Sequence, residues 1–195
     1  MRWTFLLAVA ATGLLVTSSA FAHPHGTVQC GLSVDFKNGQ PHRLTGRLLF
    51  DQAHSAQALA VIRDPISQKI DDTLQSRFLF GLRQQLARWN WLFDAKSDGG
   101  SADMAEASPP TLWWSTDGRL GINVEMSLTA TATATAAASW VFSCRDPTLY
   151  WVSEFLQPDV AITLAGCTQA ITSPAIKVAT GPQAGTASVE VRCVR

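Results

Sequence analysis

The chain has 195 residues, with 15 basic and 15 acidic side chains and a formal net charge of zero. That balance removes the electrostatic case for nucleic acid or an anionic membrane surface as a partner. With hydrophobic residues at 47% and charged ones at 15%, the composition is that of a folded domain and excludes an intrinsically disordered chain.

The first element is a segment built for removal. Arg2 supplies a positive charge, Phe5 to Val16 form an apolar run broken by Thr12 and Gly13, and the small-x-small triplet Ala20-Phe21-Ala22 follows. This order is that of a secretory signal peptide cleaved after Ala22. The apolar run is shorter than the ~20 residues a membrane-spanning helix needs. The expectation is a signal peptide over residues 1–22, then a single domain over 23–195 with no membrane span in the mature chain and no nucleic-acid partner.

Four cysteines remain after cleavage, Cys30, Cys144, Cys167 and Cys193. An even count in an exported chain suggests two disulfides. Three pairings are open. Cys30–Cys144 with Cys167–Cys193 is preferred, because each partner sits in a strand-like run and the second pair closes a short loop. No Cys-x-x-Cys pair is present, which disfavours a thiolate zinc site.

Val28, Cys30, Leu32, Val34 and Phe36 are apolar at every second position, the period of a strand with one buried face. Asn38-Gly39 predicts a tight turn, and Leu44 to Phe50 the returning strand. Asp51 to Arg63 reads as a short helix. Asp64-Pro65 then predicts the start of a long helix, with Ile66, Ile70, Leu74, Phe78, Leu82 and Leu86 as a stripe on one face, ending near Trp89 or Trp91. The polar stretch Asp94 to Pro110 reads as a surface loop. Leu112–Ser115, Asp117-Gly118 and Leu120–Leu128 predict a second hairpin. The alternating Thr and Ala of 129–138 read as a loose connection. Trp140–Cys144, Tyr150–Phe155, Val160–Cys167 and Ala187–Val194 complete a strand-rich second half, with a loop over 173–186. The predicted fold class is α+β, a largely antiparallel β-sheet with one long central helix packed on it.

Cleavage after Ala22 would leave His23-Pro24-His25 as the new N-terminus. A terminal histidine offers an amine and an imidazole on one residue, and His25 adds a second ring; nitrogen donors of this kind suit Cu, Ni, Co or Zn. The square-planar clasp through a deprotonated second-residue amide is blocked, because Pro24 has no N–H to lose. Chelation by the amine and ring of His23, completed by His25 or a distant residue, remains. His54, His42 and Asp146 are the candidate third ligands. His42, beside Pro41, also suits a surface turn, and His54 a polar contact at a helix start. Asp146-Pro147-Thr148 equally suits a turn in which the Asp bonds the backbone. No Gly-x-Ser-x-Gly, phosphate loop or His-Glu-x-x-His occurs, so no catalytic residues are named.

Two pieces of the chain carry a resemblance. His23-Pro24-His25 runs straight into a strand, and Arg145-Asp146-Pro147-Thr148-Leu149-Tyr150 is close to an Asp-Pro-Thr-Tyr-Tyr segment; Ser55-Ala56 and Cys167 add further matches. With these the chain resembles the domain-of-unknown-function family described as the periplasmic component of an uncharacterised ABC-type transport system. The resemblance implies a periplasmic protein associated with metal uptake or efflux, an inner-membrane metal transporter as partner, and Asp146 as the preferred third ligand. It does not carry over calcium binding, since no Asp-x-Asp-x-Asp-Gly loop stands after the first hairpin. The leading expectation is a periplasmic binding component that holds a transition metal through His23 and His25. The alternatives are a copper-dependent oxidase with an N-terminal histidine brace and a metal-free extracytoplasmic partner-binding domain, the latter suggested by seven Trp.

Overall fold

The structure, a computed structural model, describes residues 26–98, 100–131, 139–148, 150–160, 163–164, 168–172 and 187–194. Strand β1 (Gly26–Lys37) pairs antiparallel with β2 (Gln40–Phe50), in register from Val28 opposite Phe50 to Lys37 opposite Gln40. Asn38 (φ 55°) and Gly39 (φ 76°) both take the left-handed conformation, whose twist matches that of the flanking strands. The alternation does what its period implies: Val28, Cys30, Leu32, Val34 and Phe36 are all at most 2% exposed.

Helix α1 (Gln52–Ile62) follows at once, capped by Asp51, whose carboxylate accepts the His54 amide. It is stitched to the sheet by a buried hydroxyl. Ser55 Oγ accepts the Leu120 amide at 2.9 Å and donates to the Phe50 carbonyl at 3.3 Å.

The long central helix does not form. Asp64 makes the cap its sequence suggests, accepting the amides of Ile66 and Ser67. The turn stops there, because Gln68 swings to φ 56° and Arg63 bridges back to Ile70. Ile66 is left 91% exposed. The helix proper, α2 (Asp72–Leu86), starts after a second cap in which Asp71 accepts the Leu74 amide. Only the later part of the predicted stripe is therefore helical: Phe78, Leu82 and Leu86 pack on the core. A 3-10 turn over Ala87–Leu92 ends the segment, and Asn90, Trp91 and Leu92 all adopt positive φ there, turning Trp91 inward to 1% exposure.

The polar stretch read as a loop is also structured. It forms β3 (Phe93–Ser97) and β4 (Gly100–Trp114), paired from Lys96 opposite Ser101 to Ser97 opposite Gly100. The second hairpin holds, β4 pairing with β5 (Leu120–Ala130). Then come β6 (Ser139–Cys144), β7 (Trp151–Val160), β8 (Thr163–Leu164), β9 (Thr168–Thr172) and β10 (Ala187–Val194). Most of the Thr/Ala run, residues 132–138, and the predicted loop over 173–186 lie outside the described residues.

The strands follow the order β7-β1-β2-β5-β4-β3-β6-β10-β9, with β8 also beside β1. Pairing is antiparallel except for β7 and β8, which run parallel to β1. Among the described residues the fold is thus predominantly β, with two α-helices of 11 and 15 residues, and the α+β class with a central helix is corrected accordingly. The sheet curls until β1 meets β6, although four strands separate them in the order: Phe36 and Phe142 pack edge to face at 6.1 Å, and Cys30 is bonded to Cys144. The preferred Cys30–Cys144 pairing therefore holds. Cys167 and the side chain of Cys193 lie outside the described residues.

Within the curl, Trp91, Phe93, Trp140 and Phe142 are buried to 2% exposure or less. Each such side chain contributes about 1.5–3 kcal/mol through burial. Among the described residues no helix is long and apolar enough to cross a membrane.

Candidate functional site

Three segments far apart in sequence meet at one corner of the sheet. The start of β1 lies parallel to the start of β7, with Gly26 opposite Trp151. The end of β2 delivers Asp51, which binds back to β1: Thr27 N–H donates to Asp51 Oδ2 at 2.8 Å, and the Asp51 amide donates to the Thr27 carbonyl at 3.1 Å. One turn into α1, His54 folds back over its own cap. Its Nδ1 lies 2.9 and 3.0 Å from the two Asp51 carboxylate oxygens.

Partial burial works to raise the pKa of Asp51. The amides of His54 and Thr27 and the His54 ring outweigh it and hold the carboxyl below its ordinary value. An ionised carboxylate is an acceptor only, so Nδ1 is the donor to Asp51 and Nε2 points away from it. Nε2 lies 3.4 Å from the Tyr150 hydroxyl, at the outer limit of a hydrogen bond. The ring is wedged further by Trp151, at 4.3 Å between centroids, and by Tyr150 at 5.9 Å, edge-on.

Gly26 sits hard against this group. A β-carbon there would stand 2.6 Å from His54 Cε1, 2.6 Å from Trp151 Cζ3 and 2.8 Å from Asp51 Oδ2. Only glycine allows the backbone so close. His54 and Trp151 also line two clefts. One, of about 270 Å³, is apolar and bounded by Ala58, Val61 and Phe78. The other, of about 350 Å³, is bounded by Trp89, Asp146 and Tyr150.

Asp146 is 3% exposed and fully committed to its own turn. Oδ1 accepts the Thr148 amide (2.8 Å) and hydroxyl (2.7 Å), and Oδ2 accepts the Thr148 hydroxyl (2.9 Å) and the Trp151 amide (2.9 Å). It is the turn-forming residue its sequence allows, and it fixes the backbone from which Tyr150 and Trp151 reach His54. His42 is exposed on β2. His23 and His25 lie outside the described residues. Among the described residues no three of His, Cys, Asp and Glu form a group that could hold a metal ion.

The residues missed by the sequence reading are Asp51, Tyr150, Trp151 and Gly26. One signal was available: Asp51 and His54 have the spacing of a helix cap and its third residue, where a polar side chain can fold back on the cap. Nothing local announced that Tyr150 and Trp151 would arrive from the far end of the chain.

The DUF1007 family model, described as a protein of unknown function, matches residues 8–186. No curated protein matches significantly. The family is the one that His23-Pro24-His25 and the Asp146 turn resemble, and the match spans nearly the whole sequence; the chain belongs to the DUF1007 family.

Proposed function

We propose that this protein is a periplasmic metal-binding component in which the mature N-terminal histidines, His23 and His25, meet His54. One observation carries the reading. An imidazole already oriented by a carboxylate stands against the backbone of Gly26, the residue joined directly to His25.

A histidine that ligates a metal almost always donates its other ring N–H to a carboxylate or carbonyl, which fixes the tautomer and raises the basicity of the ligating nitrogen. The Asp51–His54 pair has this form, with Nε2 left to ligate. His25 is joined directly to Gly26 and His23 stands two residues before it, so ligation requires only this short segment to turn toward His54. Three nitrogen donors plus a terminal amine suit Cu(II), Ni(II), Co(II) or Zn(II). In this reading Asp146 braces the loop that carries Tyr150 and Trp151 and leaves ligation to the histidines. An inner-membrane transporter that receives the metal is the partner this function calls for.

The test is calorimetric titration of the processed protein with each of the four metals. Affinity should fall in His54→Ala and fall further in a His23→Ala, His25→Ala double variant. Equal affinity in all three proteins, or a mature terminus found elsewhere than His23 by N-terminal sequencing, overturns the reading.

A further inference from the structure

The side of β3, β6 and β10 turned away from the core carries a second set of side chains in register. Asp94, Ser143 and Ser188 stand in one row across the three strands, because Ser143 pairs with both Asp94 and Ser188. Lys96 and Val141 stand in the next row. The residues between the rows, Ala95 and Phe142, are fully buried, so both rows face outward. Over them lies a hollow of about 520 Å³, a size that accommodates small ligands. Two further segments complete it. Asn90, Trp91 and Leu92, all at positive φ, carry the chain from α2 into β3 and leave Arg88 and Trp89 at the rim. Arg145 follows β6 directly, and its amide donates to the Leu92 carbonyl at 2.7 Å.

The charges of this hollow are unequal, in a chain whose total is zero. Arg88, Lys96 and Arg145 line it together with a single carboxylate, Asp94. That carboxylate is already taken, by Lys96 Nζ at 2.6 Å. Two guanidinium groups remain. Arg88 Nε donates to the Gln85 carbonyl at 3.1 Å, and the group lies over the Trp89 indole, 5.5 Å from the centroid. A carbonyl and a ring face position the guanidinium without neutralising it. The Arg145 guanidinium has no hydrogen-bond or ion-pair partner among the described residues, and neither hydroxyl of the floor, Ser143 or Ser188, has a hydrogen-bond partner there.

We infer that this hollow binds a small ligand with two anionic groups, carboxylate or phosphate, one held by Arg88 and the other by Arg145. A guanidinium presents a planar fork of N–H donors that takes an oxyanion through two parallel bonds. Two such forks without a counter-charge select a ligand with two negative groups, since a monoanion would leave one of them uncompensated. The Asp94–Lys96 pair is closed on itself and adds little field against such a ligand. The Ser143 and Ser188 hydroxyls supply donors for the remaining oxygens. A cation is repelled, and an apolar molecule would strip both guanidinium groups of water without replacing it. Trp89 and Val141, 40% and 39% exposed, offer the ligand's carbon skeleton an apolar edge. Arg88 and Trp89 also line the cleft beside His54, but no ligand of the proposed metal site lines this hollow. Anion binding here therefore stands or falls independently of metal binding.

The test is calorimetric titration of the metal-free full chain with succinate, citrate and pyrophosphate at physiological salt, with acetate as the monoanion, alongside ¹H–¹⁵N spectra. At least one of the three should saturate the protein and move the Ser143 and Ser188 amide resonances. Tighter binding of succinate or citrate assigns carboxylates to the site; tighter binding of pyrophosphate assigns phosphates. Arg88→Gln and Arg145→Gln should each bind about tenfold more weakly while keeping the unfolding midpoint. Arg63→Gln, at an exposed arginine outside the hollow, should bind unchanged, as should His54→Ala. Failure of all three anions to saturate overturns the proposal, as does undiminished binding by Arg88→Gln and Arg145→Gln or an equal loss in Arg63→Gln. Acetate binding as tightly as the others overturns the ligand class.

Discussion

The corner around His54 and the outer face around Trp113 are built by opposite means. At the corner every polar atom of the Asp51 and His54 side chains has a neighbour: two amides and an imidazole for the carboxylate, a carboxylate and a phenol for the imidazole. On the outer face a ladder whose register shifts at Ser108 leaves the Trp113 indole N–H and the Asn123 amide oxygen without partners among the described residues. In the first arrangement the hydrogen bonds that stabilise the fold also hold one ring in one orientation. The second leaves hydrogen-bonding capacity unused among the described residues. The difference predicts that substitutions at the corner damage the fold, whereas substitutions on the face spare it.

The largest effect is expected from Ser55→Ala. It removes the hydroxyl that holds α1, and so His54, against the sheet, and strands the buried Leu120 amide. Denaturant titration should show a loss of about 1–3 kcal/mol. Next is Asp51→Ala, which removes the cap of α1 and the acceptor for Thr27 and His54. It should cost about 1–2 kcal/mol and weaken metal binding in the same calorimetric experiment. A smaller effect follows from pH. The folded-state pKa of Asp51 lies below its ordinary value of 3.8. Its contribution to stability is therefore complete above that value and is lost as pH falls through the lower, folded one. Thermal unfolding of the natural protein and of Asp51→Asn should differ at neutral pH and converge in strong acid. Smallest is Asn123→Ala, which should shift stability by no more than about 0.5 kcal/mol. A large loss there would mean that the outer face is part of the structural frame, and the contrast would dissolve.

Legibility in the sequence divides along similar lines. The first hairpin was readable because two local signals agreed, five apolar residues at period two and Asn38-Gly39 at the turn. The long helix was misread because a period-four stripe ran through a real but abortive cap. Asp64 satisfies two amides as a helix start should, and only the positive φ of Gln68 shows that the turn closes on itself. Asp71, seven residues on, is the cap that propagates. The stretch from Asp94 to Pro110 looked like a loop because β4 alternates small and polar residues, with Ala102 buried and Glu106 taking the Arg83 side chain from α2. At the candidate site, His54 was singled out by residue type and Asp146 through the family resemblance. Their partners were not, because the corner is assembled by a parallel pairing of β1 with β7 across more than half the chain, and no local pattern encodes a parallel partner.

The Cys30–Cys144 bond ties together strands that the hydrogen-bonded ladder keeps far apart, and both residues are fully buried. Once the curl has closed, neither an oxidant nor a reductant has a path to these sulfurs. The thiols must be oxidised while the seam is still open, and the finished bond is then sealed against exchange. A chain with both thiols reduced would have only side-chain packing to keep its seam shut.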